Sequence, residues 1–234
     1  MITTILFDLD GTLLPMDQDK FIQDYLSRMA KKLAPHGYDS DLLAKGIWKG
    51  TGAMVKNDGT RTNEAVFWEV FNSFMGRNCQ NDEYLFLEYY NNEFQQVQHA
   101  CGFDPRASEL IRSIKDMGYH ISLATNPLFP SIATYSRAKW AGLNPEDFDL
   151  ITTYENSKHS KPNPDYYREV LDKLCVAPEN CLMVGNDVDE DMIAETLGMK
   201  VYLLTDSMIN RTGKDISCYP HGSFEDLMKF IREL

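Results

Sequence analysis

Residues 2–7, ITTILF, are a short β-branched and apolar run closed by acids, the pattern of a strand buried on both faces. Between residues 17 and 101 the texture changes to Tyr, Phe, Trp, Asn and Gln with helical spacing. Phe21, Tyr25, Met29 and Leu33 fall every fourth residue; Phe67, Val70, Phe71 and Phe74 make a second stripe; Tyr84, Leu87 and Phe94 suggest a third. No strand pattern interrupts this block, so it is expected to be all helical, with the stripes as packing faces. Within it, Gly50, Gly52 and Gly59 predict a mobile loop. The neighbouring Lys45, Lys49, Lys56 and Arg61 read as solvated surface charge.

From residue 104 helix and strand alternate. Asp104-Pro105 reads as an N-cap with Pro at the first helical position, opening a helix to about Asp116 that Gly118 stops. Strands are expected at Tyr119–Thr125, Phe148–Thr152, Cys181–Gly185 and Lys200–Leu204. Helices are expected at 131–141, from Asn163-Pro164 to about Leu174, at 189–197, and from Ser223 to about Glu233. This alternation predicts βαβ units and an α/β fold, a doubly wound parallel sheet with helices on both faces. The helical block is inserted after the first strand. The predicted domains are therefore an α/β core from 1–14 and 104–234 and a helical domain from 15–103.

Composition narrows the function classes. The 234 residues carry 23 Lys+Arg against 35 Asp+Glu, a net charge of −12. That balance excludes sequence-wide attraction to nucleic acid or to an anionic membrane surface. An anionic substrate would need local cations or a metal to overcome this field. There is no apolar run long enough for a transmembrane helix and no basic leader, so no signal peptide is expected. The five cysteines (79, 101, 175, 181 and 218) are scattered and form no Cys-x-x-Cys, which predicts reduced thiols in a cytoplasmic protein. Asn210-Arg211-Thr212 fits a glycosylation sequon, which carries little weight without a secretory signal.

In parallel sheets ligands bind beyond the carboxyl ends of the strands. Four loops there carry the chemistry: Asp8-Leu9-Asp10-Gly11-Thr12, Thr125-Asn126, Ser157 to Pro162, and Asn186 to Asp191. Asp8 and Asp10, at i and i+2 of an extended segment, project to the same side. Two carboxylates so placed repel unless a cation or proton intervenes. Mg²⁺, an oxygen-preferring cation, answers this, with Asp187 as a third oxygen ligand. Gly11 permits a sharp turn after the strand. Thr125, Asn126 and Lys161 can offer hydrogen bonds or charge to phosphate oxygens. Other motifs fail. The acids at 187, 189 and 191 imitate a calcium loop, but Met192 and Gly198 stand where an EF-hand needs Gly and Glu. Gly213-Lys214 lacks the upstream glycine of a P-loop, and His36, His99, His120, His159 and His221 have no zinc spacing. His159 is a secondary candidate for substrate contact, and Lys158 competes with Lys161.

DLDGTLL after an apolar strand, followed in order by Thr125, Lys161-Pro162 and Asp187 with Asp191, resembles the four motifs of the haloacid dehalogenase-like hydrolase superfamily. The resemblance covers nearly the whole chain, and the helical insert sits where the superfamily's first class of cap domain sits. It implies a Rossmann-like core and a cap that closes over the site, here hinging near Pro15 and Cys101–Asp104. It implies Asp8 as the nucleophile that forms an aspartyl-phosphate and Asp10 as general acid and then base. It further implies Mg²⁺ held by Asp8, the Asp10 backbone carbonyl and Asp187. Thr125 and Asn126 would bind the transferring phosphoryl group, and Lys161 would neutralise it and orient Asp8. Asp191 would support the metal site or Lys161, with Gly11 and Thr12 as supporting residues of the first motif. Asp10 favours phosphoryl transfer over carbon–halogen cleavage, since the dehalogenase branch lacks this acid. One departure is the order Gly185-Asn186-Asp187, where the family commonly places Asp directly after Gly; Asp187 is taken as the metal ligand and Asn186 as the alternative.

The implied function is a Mg²⁺-dependent phosphatase for a small phosphorylated metabolite. A phosphomutase or a nucleotidase of the same superfamily shares the residues. A signalling receiver also places an aspartate beside Mg²⁺, but is about half this length and has no helical insert. A non-catalytic acidic binding protein would have no reason to keep Asp8, Asp10, Lys161 and Asp187 together.

Overall fold

The computed structural model describes all 234 residues. Six parallel strands form one sheet in the order β3-β2-β1-β4-β5-β6. They are β1 (Thr4–Phe7), β2 (His120–Leu123), β3 (Leu150–Ile151), β4 (Cys181–Gly185), β5 (Lys200–Leu204) and β6 (His221–Gly222). Phe7, at the end of the central strand, pairs with Leu123 on one side and Val184 on the other. Successive side chains of a strand point to opposite faces. Ile5 and Phe7, Leu182 and Val184, and Tyr202 and Leu204 accordingly enter the larger hydrophobic cluster. Leu6, Cys181, Met183, Val201 and Leu203 enter the smaller one. Both faces are covered, in keeping with the mostly apolar β1, β4 and β5, where Thr4 and Lys200 are the polar exceptions at the strand starts.

The helices are α1 (Gln18–Leu33), α2 (Ser40–Val55), α3 (Asn63–Met75), α4 (Glu83–Asn91), α5 (Pro105–Asp116), α6 (Ser131–Trp140), α7 (Pro164–Leu174) and α8 (Phe224–Arg232). The fold is the expected α/β, Rossmann-like architecture with a helical insert after β1. The caps follow the sequence: Asp104 accepts from the Arg106 N–H, Asn163 from the Asp165 N–H, and Ser223 forms a capping box with Asp226. No helix is long and apolar enough to cross a membrane.

Four local expectations are corrected. The segment expected as a mobile loop around Gly50 and Gly52 is helix α2; Gly46 and Gly50 serve its packing, while Gly52 faces open space. A Cβ at Gly46 would lie 2.9 Å from the Phe71 ring, and one at Gly50 2.5 Å from the Phe67 ring, so their absence lets α2 lie close on α3. In α4 the buried face is Leu85, Phe86, Tyr89 and Tyr90, while Tyr84 and Leu87 are exposed. The helix expected at 189–197 is a 3₁₀ segment, Met192–Leu197. Its start is delayed because the Asp187 carboxylate takes the N–H groups of Asp189 and Glu190 at 2.9 and 3.0 Å. The strands expected to run to Thr125 and Thr152 end at Leu123 and Ile151, and β6 carried no apolar run to announce it.

The insert is packed into the larger cluster: Phe94 meets Trp140 of α6 with ring centroids 5.0 Å apart. Its two connections to the core lie side by side, with the Gly102 N–H donating to the Pro15 carbonyl at 2.7 Å. At the start of α3, the buried Asn63 amide donates to the Pro127 carbonyl and to Ser160 Oγ, both at 3.1 Å. The insert thus touches the loops that carry Asn126 and Lys161.

Candidate active site

After β1 the chain continues to β2 on one side of the sheet, while β4 lies on the other, so the β1 and β4 loops diverge and leave a crevice. A cavity of about 180 Å³ occupies it, with Asp8, Asp10, Thr125, Asn126, Asp187 and Asp191 in its wall. Three of the four loops therefore meet at this cavity, and the fourth reaches it from behind through the bond of Lys161 to Asp8.

Asp8 is buried, and its carboxylate accepts from Lys161 Nζ at 2.9 Å. The Thr12 hydroxyl lies 3.1 Å from Asp8 Oδ2 and 2.9 Å from Asn186 Oδ1 and has one proton to give. Gly11, at φ +89°, makes the turn that brings Thr12 back, and a Cβ there would meet Asn186 Nδ2 at 2.4 Å. Lys161 is fully buried and lies behind Asp8, bonded to Asp191 Oδ1 at 2.6 Å as well. Burial opposes its charge, but the Asp191 and Asp8 carboxylates win and hold its pKa well above the ordinary lysine value. The rings of Tyr166 and Tyr167 stand 5.9 and 6.0 Å from the ammonium. Burial pushes the Asp191 carboxyl up to about 7, with the Lys161 charge opposing it. The other Asp191 oxygen accepts the Asp187 N–H at 2.9 Å, so one side chain braces both Lys161 and the β4 loop.

Asp10 stands 22% exposed, and Arg137 of α6 donates to its Oδ2. Burial holds the Asp10 carboxyl above the usual carboxylate range, and the Arg137 charge works against that rise. Asp10 Oδ1 is buried without a protein partner. The Thr125 carbonyl is fixed by Thr152 and Tyr166 at 2.7 and 2.9 Å. Asn126 donates to Glu190 Oε2 at 3.1 Å, and its own Oδ1 is buried and unpartnered. Asn186 is engaged by Thr12 and by its bond to the Ser207 carbonyl at 2.7 Å. Asp187 faces the cavity with Arg211 on its Oδ2 at 2.6 Å. His159 turns instead to Glu169 at 3.2 Å and is not in the cavity wall; the exposed Lys158 is held through its backbone N–H by the same Glu169.

Sequence reasoning missed Arg137, Arg211 and Glu190. Arg137 had a signal: it sits on the buried side of α6 with Ala133, Thr134 and Ala138. An arginine on an apolar stripe needs a buried partner. Arg211, in an irregular exposed loop, had none.

A sequence profile described as haloacid dehalogenase-like hydrolase matches residues 2–194. The chain is 24% identical over 199 residues to the pyrophosphatase PpaX of Bacillus cereus (strain G9842), an alignment covering 85% of this chain and 81% of that protein. A HAD phosphatase from Thermococcus onnurineus shares the fold with a TM-score of 0.59 at 20% identity over 98% of each chain. YfnB of Bacillus subtilis, solved bound to magnesium, does so with a TM-score of 0.57 at 19% identity, again over 98% of each chain.

Proposed function

The chain belongs to the haloacid dehalogenase-like hydrolases, and from that premise we propose that it is a Mg²⁺-dependent phosphatase that hydrolyses a small phosphomonoester through an aspartyl-phosphate on Asp8. One observation carries the reading. Asp8 and Asp10 share one cavity wall, each held by a different buried cation, Lys161 for Asp8 and Arg137 for Asp10. Two carboxylates in two environments can take two roles.

The charge balance supports a metal. Asp8, Asp10, Asp187, Glu190 and Asp191 bring five carboxylates to the site, against the three cations Lys161, Arg137 and Arg211. A phosphate dianion entering that field needs further positive charge. No three His, Cys, Asp or Glu side chains form a ready cage. The donors on offer are the carboxylates of Asp8 and Asp187 and the Asp10 backbone carbonyl. This all-oxygen set fits Mg²⁺, which keeps several waters and takes few protein ligands. Both side chains already carry hydrogen bonds, Asn186 to Thr12 and the Ser207 carbonyl, Asp187 to the Asp189 and Glu190 N–H groups and Arg211, but Asp187 suits the ion better because its oxygens carry the negative charge a divalent cation prefers. When bound, the ion would offset the charge of the phosphoryl oxygens.

The residues then act as follows. A carboxylate oxygen of Asp8, oriented by Lys161 and Thr12, attacks phosphorus. As that O–P bond forms, the bond to the leaving oxygen breaks, and that oxygen takes the proton of Asp10. The raised pKa of Asp10 suits a group that must arrive protonated. Thr125 and Asn126 hold the transferring phosphoryl oxygens. Asp10, now a carboxylate, takes a proton from the water that attacks phosphorus, releasing phosphate and free Asp8. The helical insert acts as a cap, and its packing against the cavity limits water. The test is phosphate release from small phosphomonoesters with Mg²⁺ and with chelator. Release that needs the metal and is lost in Asp8→Asn is expected; release that survives Asp8→Asn overturns the assignment.

A further inference from the structure

The insert contains a second cavity, also about 180 Å³, between α1, α2, α3 and α4. Fourteen of its seventeen lining residues are hydrophobic, and none is Lys, Arg or His, which decides what charge it can accept. Met29, Ile47, Phe67 and Phe86 supply much of the wall. Tyr25 and Tyr90 also line it, but their hydroxyls are hydrogen-bonded to each other at 2.9 Å. Its one carboxyl group is Glu83. The cavity adjoins the catalytic one: Ile22, Leu128 and Phe129 line both.

Resting on the phosphatase reading, we infer that the ester's leaving group is uncharged and apolar, about the size of one aromatic ring, and lodges in this cavity while the phosphoryl group lies at Asp8. The charge pattern favours this. Every cation at the catalytic cavity already has a carboxylate partner: Arg137 with Asp10, Arg211 with Asp187, Lys161 with Asp8 and Asp191. A second anionic group, as in pyrophosphate, finds no cation beyond them and meets Glu83 instead. Size favours it too. An apolar cavity of about 150 Å³ stays dry and takes benzene in another protein, so one ring fits here.

The test compares kcat/KM for 2-phenylethyl phosphate, ethyl phosphate and inorganic pyrophosphate with Mg²⁺. The first two leave as similar alcohols, so their ratio reports the ring and not the chemistry. A preference of about tenfold to a hundredfold for the phenylethyl ester is expected, the range for burying an aromatic group. Thr51 of α2 also lines the cavity; Thr51→Trp, which puts an indole there, should bring that ratio to within about threefold by removing the same burial, with ethyl phosphate unchanged. Equal rates for the two esters, or pyrophosphate as the best substrate, overturn the inference and leave the phosphatase reading standing. If no ester is hydrolysed, the phosphatase reading falls, and calorimetry with 2-phenylethylphosphonate and ethylphosphonate still decides the pocket. Tighter binding of the phenyl compound by the same factor supports it, and equal binding refutes it. The same pair of phosphonates serves if Thr51→Trp does not fold.

Discussion

Replacing Arg137 by methionine removes the group that holds Asp10 while keeping most of its apolar bulk. Arg137 is 1% exposed, its guanidinium lies 4.4 Å from the centre of the Phe129 ring, and Asp10 Oδ2 accepts from it. Breaking a buried pair by removing one partner costs about 3–5 kcal/mol. Here the cost should fall lower, about 1–3 kcal/mol, because Asp10 is 22% exposed and its pKa is already raised, so it can take a proton. Catalysis should suffer more selectively. A positioned general acid contributes about 10²–10⁴ in rate. Without Arg137 the Asp10 carboxyl has no donor to fix its rotamer, so kcat/KM for an alkyl phosphate should fall about 10²–10³-fold, or about 3–4 kcal/mol. For 4-nitrophenyl phosphate, whose phenolate departs without a proton, the loss should be under about tenfold, since kcat/KM covers only the steps through leaving-group release, in which Asp10 acts as the acid and not yet as the base. The assay is the pair of kcat/KM ratios, Arg137→Met against wild type, with a thermal melt to show the variant is folded. Equal losses on both esters would mean that Arg137 binds the phosphoryl group or supports the wall and does not position the acid. No loss on either would mean that Asp10 needs no such partner.

Two further outcomes follow from the same geometry. Lys161→Met leaves Asp8 and Asp191 buried without their shared cation, so unfolding in denaturant should show a loss of about 3–5 kcal/mol, equivalent to a melting point lower by roughly 6–20 °C; a loss under about 1 kcal/mol would show that the pair is not held as described. Mg²⁺ at a hundredfold excess over its dissociation constant should stabilise the wild type by about 2.7 kcal/mol in thermal melts and leave Asp187→Ala unmoved, whereas equal shifts would place the metal elsewhere.

Much of the site was legible because its signals are local. β4 at Cys181–Gly185 and β5 at Lys200–Leu204 coincide with their apolar runs, since strands buried on both faces have no polar alternation to blur them. The loops after β1, β2 and β4 carry Asp8, Thr125 and Asp187 to one cavity because parallel topology puts all strand ends on one side. What failed depended on contacts distant in sequence. Gly50 and Gly52 imitate a flexible segment until helix α2 and the Phe67 ring that presses on Gly50 are known. Met192–Leu197 has helical composition, yet carboxylates at Asp187 and Asp191 take the N–H groups that shape its approach. The two residues of β6 pair only because Leu203 and Leu204 present an open edge. Arg137 lies 127 positions from Asp10, and only the folded chain shows which acid it serves.

The central claim is that Asp8 carries the phosphoryl group. The direct measurement is an acid quench of the enzyme during turnover with Mg²⁺ and a phosphomonoester, followed by mass spectrometry of its peptides. One phosphoryl group on the peptide containing Asp8, absent with chelator and in Asp8→Asn, is the predicted result. Turnover that continues in Asp8→Asn, or a phosphoryl group on another side chain, would contradict it.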